Sequence, residues 1–278
     1  MLEHIRKNNV DRFAGFGELY DRHRPSAPKE VVNILEMYLG GTPDTVADVG
    51  CGTGLSTFLW LNRARQIYGI EPSKDMRSMA ESKWEAAGRP ASLTFREGYA
   101  DDLGLENGSI DLVTCSQSFH WMNPQPTLAE FARVLRPGGV FAAYDCDWPP
   151  VLGVEMEAAY SNLYDLAERR AQELSPQDQQ AYKWPKDQHL RQIQDSRQFR
   201  YTREIVFHNW EKAGADRYLG LALSQGGTQA AIRLGAQDVQ EAAEQFSRTV
   251  EAFFAGEEKE LLFSYRMRLG VKGSDKDN

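Results

Sequence analysis

The segment VADVGCGTG, Val46 to Gly54, constrains the fold of this chain more than any other. A short apolar run passes directly into glycines at alternate positions, and Leu55, Phe58 and Leu59 follow with helical spacing. A strand that turns on glycines into a helix is the opening unit of a parallel α/β sheet. Glycine at such a turn lets the backbone approach a ligand closely, and the N-terminus of the helix expected there favours a negative ligand group.

The same alternation continues downstream. Ile67 to Ile70 reads as a second strand stopped by Glu71-Pro72. Ser73 is placed to cap a helix whose Met76, Met79, Ala80 and Trp84 share one face. Leu93 and Phe95 alternate as a third strand, and Ile110 to Cys115 is a fourth, buried one. Leu128, Phe131, Ala132 and Leu135 mark a helix that Pro137-Gly138-Gly139 is expected to end, before a fifth strand from Val140 to Tyr144. Strands and helices at this spacing imply a parallel, doubly wound sheet. After Pro149-Pro150 the chain turns rich in Gln, Glu, Ala and Arg, so residues 151–200 read as a helical insertion. Strand character returns from Tyr201 to Glu211. Helices are expected around Gly220 to Ser224 and Val239 to Phe254, and Phe263 to Val271 alternate as a final strand. The expected units are residues 1–150 for the core, 151–200 for a helical lid, 201–272 for the last two strands with intervening lid helices, and 273–278 for a disordered tail.

Bulk properties narrow the partners. A net charge of -8 over 278 residues leaves little basis for a nucleic-acid footprint, which needs a basic patch. No run reaches the ~20 apolar residues of a membrane-spanning helix. The charged start, MLEHIRKNNVDRF, is not the pattern of a secretory signal. Cys51, Cys115 and Cys146 are too far apart for a disulfide framework or zinc spacing, so a reducing, cytoplasmic setting and no metal are expected. Oligomeric state is open between monomer and homodimer.

The glycine spacing points to the ligand. A dinucleotide fingerprint reads G-x-G-x-x-G, whereas Gly50, Gly52 and Gly54 read G-x-G-x-G with Leu55 in the third-glycine position. Glu71 ends the second strand about 20 residues on, where a carboxylate accepts bonds from ribose hydroxyls. The pair indicates an adenosine-bearing ligand. Asp48 fits a place behind that ligand, or alternatively a turn or capping role.

These residues carry a family resemblance. DVGCGTG resembles the first motif of class I S-adenosylmethionine-dependent methyltransferases. IEPSKDM at Ile70 to Met76, GYADDLGL at Gly98 to Leu105, SIDLVTCSQSFHW at Ser109 to Trp121 and RVLRPGG at Arg133 to Gly139 match in order. The resemblance covers roughly Phe13 to Asp147 and is greatest to methyltransferases of the trans-aconitate and ubiquinone-biosynthesis type. It implies a Rossmann-like seven-stranded α/β sheet, mostly parallel with an antiparallel last strand and helical lid insertions. It further implies S-adenosylmethionine as cofactor, held by the loop Gly50, Cys51, Gly52 and Gly54, by Glu71 and Pro72 at the ribose, and by Met76 against adenine. Ala100 and Asp101 would meet the adenine edge, Ser116 and Gln117 would lie near the methionine part, and Trp121 would form a wall of the cofactor site. Tyr99 departs from the Asp of many relatives, which puts the adenine contact there in question. Tyr20 and Arg24-Pro25 resemble an element that closes over the cofactor, with Arg24 facing the methionine carboxylate.

An already activated methyl group requires mainly that an acceptor be aligned for in-line displacement, and positioning can contribute ~7 to 11 kcal/mol. His120 follows the fourth strand at the carboxyl edge, where open sheets bind ligands. Its ordinary pKa of ~6.5 suits a base, while a histidine shaping the pocket floor is the competing reading. Tyr144, Asp145 and Trp148 close the fifth strand and are candidates for touching the acceptor, as are His208 and Ser224 in the second half. The expected activity is methyl transfer to a small-molecule acceptor whose accepting atom is open. The rivals are a non-catalytic S-adenosylmethionine-binding protein and a nicotinamide dehydrogenase, the latter disfavoured by Leu55 in the third-glycine position.

Overall fold

The computed structural model describes residues 3–11 and 17–273, without the side chains of Leu19 and Tyr20. Seven strands form one sheet: β1 (Thr45–Val49), β2 (Gln66–Ile70), β3 (Leu93–Arg96), β4 (Ile110–Ser116), β5 (Leu135–Cys146), β6 (Phe199–Ala213) and β7 (Lys259–Lys272). Their order is β3-β2-β1-β4-β5-β7-β6, with β7 antiparallel to both its neighbours and the β3-to-β5 pairings parallel. The expected fold class is what the chain adopts. Central β1 and β4 are buried along nearly their whole length, as strands covered on both faces must be.

Helices α1 (Glu3–Asp11), α2 (Gly17–His23) and α3 (Lys29–Leu39) precede the sheet, and α4 (Lys74–Ala86) and α5 (Pro124–Val134) cross between strands. Val31, Val32 and Leu35 of α3 pack with Trp60 and Trp84 on one face, against Val46, Leu112 and Val140. Leu128 and Phe131 of α5 cover the other face, over Ala47, Val113 and Phe141. A third buried cluster joins α6 (Val154–Leu174), α8 (Ala215–Leu223), α9 (Gly226–Arg233) and α10 (Gln237–Phe254) to the ends of β5 and β7. Helix α7 (His189–Asp195) adds Ile193 to the α5 face.

Three local expectations are corrected. The helix expected after the glycine loop is only a 3₁₀ turn over Thr57–Trp60. The hydroxyls of Ser56 and Thr57 turn inward and donate to Asp48 at 2.8 and 2.7 Å, a local alternative to helix growth, and Asn62 at φ 62° ends the turn. No α-helix N-terminus therefore faces a ligand at that loop. Second, Pro137-Gly138-Gly139 does not separate a helix from a strand: α5 ends at Val134, and β5 starts at Leu135 and runs through all three residues. A register shift opposite Ile110 and Leu112 accommodates them. Third, residues 175–188 of the insertion are an irregular strap with two 3₁₀ turns, where Pro176 and Pro185 interrupt helical continuation. Of the expected disordered tail, Ser274 onward lies outside the described residues.

Candidate functional site: two clefts that share a wall

The carboxyl ends of β1, β2, β4 and β5 open into two adjoining clefts. The first, about 1220 Å³ including space open to solvent, is lined by the glycine loop, Glu71, Pro72, Met76, Ala100, Asp101, Ser116, Gln117 and Trp121. Residues drawn from four separate stretches of sequence thus meet around one space, together with Arg24 and Pro25.

The loop's three glycines serve different ends. Gly50 lies at φ 65°, and a Cβ on it would meet the Ser118 Cβ at 2.7 Å, so it is a close-packing position. Gly52 lies at φ 56° with nothing within 4 Å of where its Cβ would be, so it faces open cleft. Glu71 fastens this loop: its carboxylate accepts from Gly52 N at 2.9 Å and from Ser73 N at 2.8 Å. Burial pushes the Glu71 carboxyl up from its ordinary pKa, against the pull of those two backbone N–H groups. Asp48 lies beneath the loop, fully buried, accepting from Ser56, Thr57 and Thr114 hydroxyls, and does not line either cleft.

On the cleft's outer side the N-terminal helix contributes what sequence reasoning missed. Asn9 is buried, donates to Trp121 O at 2.8 Å and Tyr182 O at 3.0 Å, and accepts from Tyr182 N at 2.8 Å. It therefore staples α1 to both the cleft wall and the strap. Arg6 pairs with Asp101 at 2.9 Å and stacks 3.6 Å above the Tyr99 ring. The Asp101 carboxylate thus already has a cationic neighbour at the cleft's edge. The side chain of Tyr20 lies outside the described residues.

The second cleft, of about 870 Å³, shares Arg24, Gln117 and Trp121 with the first. His120 and Trp148 line it, joined by Tyr164, Glu168, Lys183, Trp184 and Lys186 from α6 and the strap. Asp145 is not on its surface. It lies under the floor, 3% exposed, as the hub of a polar cluster: Lys186 Nζ at 2.8 Å, His120 Nδ1 and Arg268 Nη1 at 3.6 Å, His189 Nδ1 at 3.7 Å. Burial opposes a charge on Asp145, but Lys186 foremost and the imidazoles after it hold its carboxyl well below the usual carboxylate range. Burial, with Lys186 beside it, pushes His120 down to about 3, and burial pushes His189 down to about 4. Both imidazoles are neutral near pH 7. With Nδ1 of His120 toward Asp145, the ring leaves Nε2 for the cleft.

The remaining acceptor candidates are not brought to the clefts. Tyr144 is buried in the sheet core, and Ser224 is buried at the end of α8, where its carbonyl accepts from Arg24 Nη2 at 3.3 Å. His208 is exposed on β6, with Nδ1 3.2 Å from Ser264 Oγ. Alternation along an edge strand set that direction, which strand propensity alone did not reveal. Lys183-Trp184-Pro185-Lys186, by contrast, was overlooked within a stretch read only as helical. Two lysines around an indole and a proline were the available signal. Among the described residues no group of His, Cys, Asp and Glu is arranged to hold a metal, and no helix is long and apolar enough to cross a membrane.

Residues 47–143 match the methyltransferase domain family, across β1 to β5 and the loops that follow β1 to β4 in the first cleft. These residues carry a methyltransferase domain. A probable S-adenosylmethionine-dependent methyltransferase of Saccharomyces cerevisiae is 30% identical over 152 residues, 52% of this chain and 52% of its own. A ubiquinone/menaquinone biosynthesis C-methyltransferase of Campylobacter jejuni is 32% identical over 108 residues, 36% of this chain and 43% of its own. The chain spans about half the length of these curated relatives. A putative type II methyltransferase from Anaeromyxobacter dehalogenans has the same fold, at a TM-score of 0.65 and 21% identity over 90% of this chain and 99% of that one. The matched domain ends within β5, and the residues of the second cleft from α6 and the strap lie beyond it.

Proposed function

We propose that the protein transfers a methyl group from S-adenosylmethionine in the first cleft to a small-molecule acceptor in the second. The observation that carries this reading is the shared wall: Arg24, Gln117 and Trp121 line both clefts, so the two spaces meet.

The first cleft suits the donor. Gly52 leaves a cradle that a Cβ would occupy, and the loop has no helix N-terminus, as befits a nucleoside without phosphates. Glu71 retains lone pairs to accept from vicinal ribose hydroxyls while its two backbone bonds hold it still. Met76, Pro72 and Leu55 offer apolar surface to the base. Bound there, S-adenosylmethionine would supply a methyl group activated by its sulfonium. The chain's own work is alignment and exclusion of water: α1, Trp121 and the strap roof the clefts, tied through Asn9. Neutral His120, with Nε2 toward the second cleft, accepts a hydrogen bond from an acceptor and so orients it. An imidazole pushed down to about 3 is too weak a base to remove a proton from an unactivated hydroxyl.

Isothermal titration with S-adenosylmethionine and NAD, followed by assay of S-adenosylhomocysteine formation over a metabolite panel, tests the proposal. Binding of NAD in preference to S-adenosylmethionine would refute the donor assignment. S-adenosylmethionine binding without turnover on any acceptor would favour a binding protein.

A further inference from the structure

Resting on that reading, we propose that the second cleft is ordered by occupancy of the first, and that Asn9 is the positioning residue that carries this coupling from α1 to the strap. The two clefts have separate roofs. Arg6, Asn9 and Val10 of α1 line the first cleft, and no described residue of the strap does. Lys183, Trp184, Pro185 and Lys186 of the strap line the second, and no described residue of α1 does. A ligand in the first cleft thus reaches the strap only through other parts of the chain.

Neither roof is held by a core. Helix α1 and the strap contribute no described residue to the three buried apolar clusters, and Asn9 is the one buried residue of α1. A helix of 9 residues is marginal by itself, because helices shorter than ~12 to 15 residues barely repay their nucleation. Polar bonds hold it instead. Arg6 meets Asp101 and Tyr99 on one side. On the other, Asn8 donates to Asp178 O at 2.7 Å and to Gln180 O at 3.2 Å. Asn9 uses its amide as a neighbouring strand would use a peptide group: it accepts from the N–H of Tyr182, donates to the C=O of the same residue, and donates to Trp121 O. At 5% exposure its loss leaves those three groups poorly placed to recover partners from water. Both halves of this clasp lie outside the matched methyltransferase domain, Asn9 before it and Tyr182 after it.

Just past Tyr182 the strap is tied to the wall of the second cleft. Trp184 N donates to His120 O at 2.8 Å, and Lys186 Nζ donates to Gln117 Oε1 at 3.1 Å and pairs with Asp145 at 2.8 Å. Contacts therefore run from the first cleft through α1 and Asn9 to Tyr182, and within four residues of backbone to the second cleft. A ligand beneath α1 adds contacts to a helix that has few others. Fixing α1 then lowers the entropy that the strap must still lose to settle on it. Such coupling is reciprocal, so an ordered strap also strengthens binding in the first cleft.

The test follows hydrogen exchange of the backbone amides in 183–188, none of which bonds to Asn9, in the full chain with and without saturating S-adenosylhomocysteine. In the parent the ligand should slow exchange there by about tenfold or more. In Asn9→Ala the slowing should drop below about a third of the parent's, while the glycine loop stays as protected by the ligand as before. Asn9→Asp is nearly isosteric and keeps an acceptor for Tyr182 N, but it loses both donated bonds. It should uncouple the strap as the alanine variant does, whereas a space-filling role would leave it like the parent. Affinity for S-adenosylhomocysteine should fall about three- to tenfold in both, the reciprocal share of the coupling. Since Asn9 belongs to no apolar cluster, circular dichroism should show both variants folded. Ligand protection of 183–188 retained within threefold in either variant would overturn the proposal, and would route the coupling through Trp121 and His120. So would a parent strap that exchanges no more slowly with ligand than without it. Loss of all S-adenosylhomocysteine binding in the folded Asn9→Asp variant would also overturn it, by making Asn9 a ligand contact. A parent chain that binds no S-adenosylhomocysteine in a preliminary titration would instead strike at the methyl-donor reading, so the two failures are distinguishable.

Discussion

Replacing Glu71 with alanine removes the acceptor for two backbone N–H groups at once. The Gly52 bond is 2.9 Å and the Ser73 bond 2.8 Å, and hydrogen bonds to an ionised group contribute about 1.5 to 3 kcal/mol each. The two losses are not equal. Gly52 borders open cleft, where water can reach its N–H, whereas Ser73 is 5% exposed at the start of α4. The burial that raises the Glu71 pKa already offsets part of the gain. The stability cost is therefore nearer one buried unsatisfied donor, about 2 kcal/mol, than the sum of two bonds. Donor affinity should fall by more than tenfold, or about 1.4 kcal/mol, because the ribose acceptor and the fastening of the loop disappear together. Thermal unfolding measures the first effect, and isothermal titration with S-adenosylmethionine on the folded variant measures the second. Glu71→Gln separates them further: it keeps the volume but turns an amide NH₂ toward a backbone N–H. Affinity of the alanine variant within threefold of the parent would reduce Glu71 to a loop fastener and remove it from the ligand.

Three further outcomes are expected. Gly52→Val should abolish S-adenosylmethionine binding while circular dichroism shows a folded chain, since the side chain enters the cradle and the left-handed backbone disfavours it; normal binding by that variant would contradict the loop's role. Because His120 and His189 are pushed down to about 3 and about 4, the unfolded chain takes up protons below its ordinary imidazole pKa of ~6.5 while the folded chain does not. Stability should thus be full above ~6.5 and fall toward pH 4, by up to ~1.4 kcal/mol per unit for each imidazole, and His120→Gln should flatten the curve of urea midpoint against pH. A midpoint that rises on acidification between pH 6.5 and 5 would show that the imidazoles are charged in the fold. Hydrogen exchange should find the 175–188 strap protected only with S-adenosylhomocysteine bound, whereas α6 and α8–α10 remain protected throughout because they share a buried core; equal protection of strap and sheet in the free protein would rule out closure by the strap.

That last expectation narrows an inference made from loop length. Residues 151–200 and 212–258 are both long connections, and length alone suggested that each is a mobile lid. Met156, Tyr160, Leu163, Tyr218, Phe246 and Phe254 instead pack together. Spacing showed these as helical apolar faces but not which faces would meet. Only the strap, with two prolines and few buried side chains, retains the character of a closing segment.

The first cleft was legible because its chemistry is local. Glycines at a strand end, an acidic residue after the next strand and a histidine-tryptophan pair after the fourth are each readable within a few residues of a backbone turn. The parallel sheet then brings strand ends together at one edge, wherever the chain goes between them. The second cleft obeys no such rule. Asp145 was legible as a polar residue at a strand end, but its place beneath the floor depends on Lys186 and His189, more than forty positions on, and on Arg268 from the antiparallel last strand. Pairing between residues so distant in sequence follows from packing, which leaves no periodic trace. By itself the sequence determined the sheet and its glycine loop. The tertiary structure alone decided which charges face the second cleft and which lie under it, because burial and sharing of a carboxylate are properties of neighbours in space.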